Sequence, residues 1–353
     1  MKIWFEALTG KQALLFHYMA EFYEQQGHQT LFTTRRSGYT DLNLKRLNRD
    51  YFSIGYYGGA SLKGKLIAGS KRIIELAELI EHEQPDILVS FSSPDATRTA
   101  FGLDIPIILL NDTPHAEAVA RLTISLSRAL VYPSSINEKE FGQYGVTKFI
   151  PYKGVDEALW IKSFEDDLTV LDNLELKSDE YIVLRCEESK SAYFRKLFPE
   201  FDPGGTIVED IVYKFREMRS DLDIVAFPRY PEQEQILQRL GVVVPDRSVD
   251  TLTLLHHAKV AMTGGGTMGR EAAMLGTPTI YTFPWKLAVS EFIADMGFPL
   301  YHFPDHPNAP AKIVELLDQD RMSEQTRHKL LEVIETPIDG FKRALELIKE
   351  EIV

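Results

Sequence analysis

The chain has 353 residues, 44% of them hydrophobic, with 39 Lys+Arg against 52 Asp+Glu for a formal net charge of −13. That composition excludes a disordered, collagen-like or coiled-coil protein, and the length fits two domains of about 100–200 residues, each able to bury its own core. A single cysteine, Cys186, closes no intramolecular disulfide; Met1-Lys2-Ile3-Trp4-Phe5-Glu6 reaches an acid before an apolar signal core forms; and no run approaches the ~18 apolar residues of a membrane span, so a cytoplasmic protein is expected.

Residues 3–7 read as a strand, and the stretch 13–26 carries Leu14, Leu15, Tyr18, Met19 and Phe22 on one helical stripe, stopped by Gly27. Residues 30–33 are a second strand after the Gly27-His28 turn. The unit repeats with a helix across 71–80, a break at Pro85, and buried strands at 87–91, 105–110 and 130–132. Residues 151–177, with Gly154 and the acids Glu165, Asp166 and Asp167, carry no clear strand and read as a linker. A second set follows, with strands at 181–184, 223–226, 242–244, 259–262 and 279–283, and the end of the chain, 323–353, is helical with a break at Pro337. Such alternation builds parallel sheets with helices on both faces. The expected class is α/β, with doubly wound Rossmann-like domains at 1–160 and 170–322 and C-terminal helices at 323–353. Open parallel sheets bind ligands beyond the carboxyl ends of their strands, which places function in a central cleft faced by the two domains.

Charge divides unevenly. Residues 1–155 carry 17 Lys+Arg against 16 Asp+Glu, so the acidic excess belongs to the second half. Between positions 35 and 74, Arg35, Arg36, Lys45, Arg46, Arg49, Lys63, Lys65, Lys71 and Arg72 face only Asp41 and Asp50. A run of this kind is a solvated face or a site for a phosphate-bearing partner or an anionic membrane surface. A nucleic-acid partner is not expected, because the overall charge opposes a phosphate backbone.

The strongest local feature is the run from Lys259 to Pro278, where a strand ends in Gly264-Gly265-Gly266 and a helix starts at once with Thr267, Glu271 in its first turns. Glycines let a phosphate approach the backbone, and the free N–H groups and dipole of the helix start attract its charge. A turn needed only for helix–sheet packing is the plainer alternative. Gly264-x-Gly266-x-x-Gly269 matches a dinucleotide fingerprint, but Gly276 and Pro278 stop the helix after about two and a half turns, which argues against a nicotinamide site. Gly59-Ala60-Ser61-Leu62-Lys63-Gly64-Lys65 spells most of a P-loop, yet Leu66 lacks the hydroxyl that holds magnesium.

Other strand ends supply polar groups. Arg185, beside Cys186 and Glu187, and Arg229, beside Tyr230, are candidates for clamping a diphosphate, with an Arg185–Glu187 ion pair as the structural alternative. Cys186, with no paired base around it, reads as a small buried residue. Gly10-Lys11 is a further anion-binding candidate after the first strand. Asn111-Asp112-Thr113-Pro114-His115-Ala116-Glu117 places three proton-transfer groups, Asp112, His115 and Glu117, within six positions, the density that acid–base catalysis requires. Capping of a helix by Asp112 or Thr113 is the competing reading. Ser92, Ser93, Asp95 and Arg98 form another polar loop in which helix capping is expected. No metal is expected: His256-His257 are adjacent and should point apart on a helix, His302 and His306 flank Pro304, and no cysteine partners exist for a tetrahedral zinc set.

The Thr263–Pro278 loop, the Val249-Asp250-Thr251-Leu252 to Ala258 helix and the Gly27-His28 turn resemble the GT-B superfamily of nucleotide-sugar glycosyltransferases and UDP-N-acetylglucosamine 2-epimerase. More narrowly, Met1-Lys2-Ile3-Trp4, Gly58-Gly59, Arg98-Thr99-Ala100-Phe101-Gly102-Leu103 and Arg229-Tyr230 resemble an archaeal family of unknown function grouped with that superfamily. The resemblance implies a GT-B fold in which the second domain takes the nucleotide-sugar, holding its diphosphate with Gly264, Gly265 and Gly266 and its ribose with Glu271, with no metal and no cofactor beyond the substrate; Thr267 at the helix start is a further candidate for binding it. The first domain would take the acceptor. Arg121-Leu122-Thr123 through Pro133-Ser134 is similar to the epimerase segment that follows its catalytic acids. The acids match poorly: Glu117 corresponds to one of a pair whose partner is Ala116 here, and Arg185 stands where the epimerase has its histidine. The expectation is therefore a metal-independent glycosyltransferase using a UDP-sugar, with an epimerase or a non-catalytic nucleotide-sugar-binding protein as alternatives, and with a phosphate-bearing or lipid-linked acceptor met through residues 35–72.

Overall fold

The computed structural model describes residues 1–36, 39–59, 61–145, 148–246 and 249–349. It divides into two compact units, Met1–Trp160 with Ile334–Val353, and Ile161–Val333. Ala60 of the P-loop-like stretch lies outside the described residues.

The first unit is built on a parallel sheet with strands β1 (Lys2–Glu6), β2 (Gln29–Arg36), β3 (Phe52–Tyr56), β4 (Ile87–Ser90), β5 (Ile107–Leu110), β6 (Ala129–Pro133) and β7 (Phe149–Tyr152). Their order is β3-β2-β1-β4-β5-β6-β7. β4, β5 and β6 are buried along their whole length, which is why they read as continuous apolar runs in the sequence. The order reverses between β1 and β4. There the helices Gly10–Glu24 and Pro94–Gly102 begin, capped by the Thr9 and Ser93 side chains.

The edges depart from the sequence reading. β3 is half exposed and bends at Gly55, whose φ of 71° suits glycine, so no buried run announces it. β7 contains Pro151, which an edge strand tolerates because one side of its ladder is unpaired. The stretch read as a linker therefore begins inside the sheet, and Val155, Ala158 and Trp160 just beyond it are buried. The last helix, Pro337–Ile348, belongs with this first unit instead of forming a C-terminal appendix. Its close fit on β6 is visible at Gly340, where a Cβ would lie 2.5 Å from Val131 Cγ1.

The second unit has a parallel sheet of β8 (Tyr181–Arg185), β9 (Asp223–Phe227), β10 (Val260–Thr263), β11 (Thr279–Tyr281) and β12 (Leu300–His302), ordered β12-β11-β10-β8-β9. The predicted strand 242–244 survives only as a parallel bridge from Val243 to Val225, outside β9. Ile182, Leu184, Val212, Phe215, Ile280 and Ile313 fill its core. The order reverses between β8 and β10, so Arg185-Cys186-Glu187 and the glycine turn leave the sheet side by side.

The basic segment is not one surface. Arg72 is 1% exposed and paired with Glu6, and Arg49 pairs with Glu24 at 2.7 Å. Lys63, Lys65 and Lys71 are exposed on the helix Leu62–Glu83, among the exposed apolar side chains Leu62, Leu66, Ile67 and Ile74. Among the described residues no helix is long and apolar enough to cross a membrane.

Candidate functional site

In the second unit the glycine turn follows β10, and the helix Gly266–Met274 starts with Gly265 as its N-cap in extended conformation. Gly264 is buried: a Cβ there would lie 2.6 Å from Glu187 Cα and 2.7 Å from its backbone nitrogen, so this glycine serves the close approach of two strand ends. Gly265, Gly266, Thr267 and Met268 are half exposed, which leaves the helix start open to solvent. Arg229 is drawn against this start. Its Nε donates to the Cys186 carbonyl at 3.0 Å, and its Nη2 would lie 2.9 Å from a Cβ at Gly265. A guanidinium, whose Nη1 lies 3.6 Å from Glu188 Oε1, and a helix N-terminus thus converge on one spot, which favours an anion there.

The neighbouring groups have structural partners. Arg185 donates to the Pro228 carbonyl at 2.9 Å. Glu187 is buried and accepts from Thr206 Oγ1 at 3.1 Å and the Ile207 N–H at 3.0 Å, at the start of the helix Val208–Met218; burial raises its pKa. Cys186 is fully buried and burial pushes its thiol up to about 12, which leaves no thiolate for chemistry. Glu271 is buried in the second turn of the helix, at 7% exposure.

In the first unit Lys11, in the first turn of the helix Gly10–Glu24, gathers three carboxylates. Its Nζ lies 2.5 Å from Asp112 Oδ2, 2.7 Å from Asp156 Oδ2 and 3.9 Å from Glu157 Oε1, and it sits 4.9 Å from the centre of the Phe91 ring. Thr113 Oγ1 donates to the other oxygen of Asp112 at 2.6 Å, and Tyr152 donates to Asp156 Oδ1 at 2.5 Å. Asp156 and Glu157 are dry, while Lys11 and Asp112 are 16% and 11% exposed in their side chains. Burial, with Asp112 and Glu157 nearby, raises the pKa of Asp156 against the opposing pull of Lys11.

Of the three predicted proton-transfer residues, the structure brings only Asp112 into this cluster. The capping alternative is not what Asp112 does: the following helix, Glu117–Thr123, has Ala116 as its N-cap and no side-chain capping bond. His115 is exposed, and Glu117 is exposed and ion-paired with Arg121 at 2.6 Å. Asp156 and Glu157 escaped the sequence reading because they follow an unrecognised strand. Gly10 begins the helix that carries Lys11.

A second cluster stands beside the first. Glu6, the last residue of β1, is buried with Arg72 Nη1 at 2.7 Å from its Oε1 and Arg72 Nη2 at 3.0 Å from its Oε2. Ser93 Oγ donates to Glu6 at 3.1 Å, and Thr33 Oγ1 donates to it as well while accepting from the Trp4 indole at 2.6 Å. The histidines also depart from expectation: His256 and His257 end the helix Thr251–His257, and both turn Nε2 toward Asp166, at 3.7 and 3.4 Å.

Among solved structures the chain is similar to the UDP-GlcNAc 2-epimerase of Methanocaldococcus jannaschii in complex with UDP-GlcNAc and UDP, with a TM-score of 0.71 and 16% identity over 99% of this chain and 100% of that one. It is similar to the UDP-GlcNAc 2-epimerase of Neisseria meningitidis bound to UDP-GlcNAc, with a TM-score of 0.70 and 14% identity over 99% and 100%. The spinosyn forosaminyltransferase SpnP gives 0.62 and 13% over 99% of both chains. This likeness establishes the GT-B fold. An uncharacterized protein of Methanocaldococcus jannaschii is 31% identical over 297 residues, 81% of this chain and 83% of that protein. The family described as "Protein of unknown function (DUF354)" matches residues 1–339, and the chain belongs to it.

Proposed function

We propose that the protein is a glycosyltransferase that moves a sugar from a nucleotide-sugar, a UDP-sugar in the first instance, to a phosphate-bearing or lipid-linked acceptor. The observation that carries the reading is the open helix start at Gly265–Met268 with the Arg229 guanidinium against it. The donor's diphosphate would rest on the N–H groups of Gly266, Thr267 and Met268, with Arg229 beside it and Glu271 one turn on toward the ribose. As the acceptor oxygen forms its bond to the anomeric carbon, the bond to the diphosphate breaks and the nucleoside diphosphate leaves with the electron pair. Charge growing on it is stabilised by the dipole and Arg229, the work a divalent ion does in other sites.

Asp112 is the proton acceptor for the attacking hydroxyl, being the carboxylate of the Lys11 cluster with a solvent-facing edge, and Lys11 is its positioning residue. Arg185 in place of the epimerase histidine supports transfer over epimerisation. The exposed Leu62, Leu66, Ile67 and Ile74 with Lys63, Lys65 and Lys71 support an acceptor presented at an anionic membrane surface.

Isothermal titration with UDP-, GDP- and dTDP-sugars tests the donor half. Wild type should bind at least one of them, and Glu271→Gln should bind it more weakly; no binding by any sugar nucleotide overturns the reading. Incubation with UDP-N-acetylglucosamine alone separates the chemistry: a 2-epimer formed without an acceptor would replace transfer by epimerisation.

A further inference from the structure

We propose that Asp166, His256 and His257 form a binding site for a divalent late first-row ion, zinc in the first instance, which clips the start of the second unit to the helix Thr251–His257. One ligand atom from each residue lies within 4.8 Å of the others. Bonds of about 2.0–2.1 Å in a tetrahedron set neighbouring ligand atoms roughly 3.3–3.4 Å apart. The two histidine Nε2 atoms lie 3.7 and 3.4 Å from the two oxygens of Asp166, and the set, within 4.8 Å throughout, contracts onto the ion when it binds.

The outer contacts prepare the rings. His256 Nδ1 lies 3.1 Å from the Leu275 carbonyl, which only accepts; the proton is therefore on Nδ1 and the lone pair of Nε2 faces Asp166. His257 Nδ1 is held by Ser178 Oγ at 3.0 Å, and its Nε2 is buried and makes no hydrogen bond among the described residues. A buried ring nitrogen aimed at a carboxylate oxygen without a bond is a polar group waiting for a partner. Asp166 is brought in by its own chain: the next residue, Asp167, donates its N–H to Thr253 Oγ1 at 3.0 Å on the same helix.

The surroundings admit a cation. Glu324, which interacts electrostatically with His256, is itself paired with Arg327 at 2.7 Å, and the repelling guanidinium of Arg321 is turned to the Ala258 carbonyl at 2.7 Å and Asp179 at 3.3 Å. Asp166 is partly exposed, so water completes the coordination and gives the ion a path in. The cluster stands at the amino end of β10, whereas the glycine turn leaves its carboxyl end. The ion is accordingly a clip and not a participant in the reaction proposed above.

The test uses the full chain stripped with a chelator. Titration with cobalt(II) should give one equivalent with tetrahedral visible absorption, displaced by zinc, and zinc should raise the melting temperature. Asp166→Asn, a partly exposed and nearly isosteric change, should weaken binding about 10-fold or more, and His256→Ala and His257→Ala should abolish the absorption. Failure of wild type to take up one equivalent at micromolar ion overturns the site. So does uptake that Asp166→Asn leaves unchanged, and that variant remains informative if the histidine variants fail to fold.

Discussion

Two clusters of cations and carboxylates stand by β1 in the first unit, Glu6 with Arg72 and Lys11 with Asp112, Asp156 and Glu157, and they differ in balance and access. Arg72 and Glu6 are both dry and meet through two parallel contacts, with Asp95 at 3.6 Å from the guanidinium. In the other, one ammonium faces three carboxylates, one of them with a raised pKa, and the Lys11–Asp112 edge reaches solvent. Both occupy the place where a doubly wound sheet binds ligands. Position alone therefore does not distinguish the two; charge balance and access to solvent do.

The sharpest way to break this contrast is Arg72→Met. Stranding buried Glu6 should cost about 3–5 kcal/mol in chemical denaturation, and the double variant Glu6→Gln/Arg72→Met should recover most of it. A loss under about 1 kcal/mol would mean that the pair is not the closed structural element described. Next in size, Asp112→Asn should lower transfer turnover by about 100-fold or more with nucleotide-sugar affinity unchanged; full turnover would remove Asp112 from the chemistry.

The pH dependence sharpens the comparison further. A carboxyl whose folded pKa is raised contributes its full stability below the unfolded value of about 3.9 and loses it as pH rises through the folded value. Denaturation of wild type and Asp156→Asn should therefore show the variant gaining on wild type as pH rises above about 4. A difference that does not vary with pH would contradict the raised value. The smallest effect belongs to Glu117→Gln. Its exposed pair with Arg121 is worth about 0.3–0.5 kcal/mol, and turnover should stay near wild type; a large loss of turnover would move the chemistry from Asp112 to the exposed turn.

What the sequence reveals depends on whether a residue's surroundings are written locally. β4, β5, β6, β8 and β10 are apolar runs and legible as such, whereas β3, β7 and β12 are edge strands in which exposure, Pro151 or mere brevity erases the pattern. The glycine turn and Asp112 were legible because they directly follow buried strands. Asp156 and Glu157 were not, since an acidic pair after an unseen strand looks like surface. Arg72 sits in a basic segment of the sequence, yet a signal of its burial is present: Ala68, Arg72, Leu76 and Ile80, four apart, form the buried stripe of their helix. The histidine pair escaped because helical geometry separates neighbours, and here the helix ends at them.

The helix Pro337–Ile348 carries a consequence for synthesis. It lies on β6 and buries Phe341 edge-on against Tyr23, 5.3 Å between ring centres, so the first unit takes in residues from both sides of the second. Residues 161–333 are continuous and carry a core of their own, so this unit has all its parts once they have left the ribosome, while the unit translated first stays incomplete until residues 337–348 emerge. Birth order and completion order are thus reversed, and a ribosome stalled before position 337 should hold a protease-resistant second unit beside a first unit still open to cleavage.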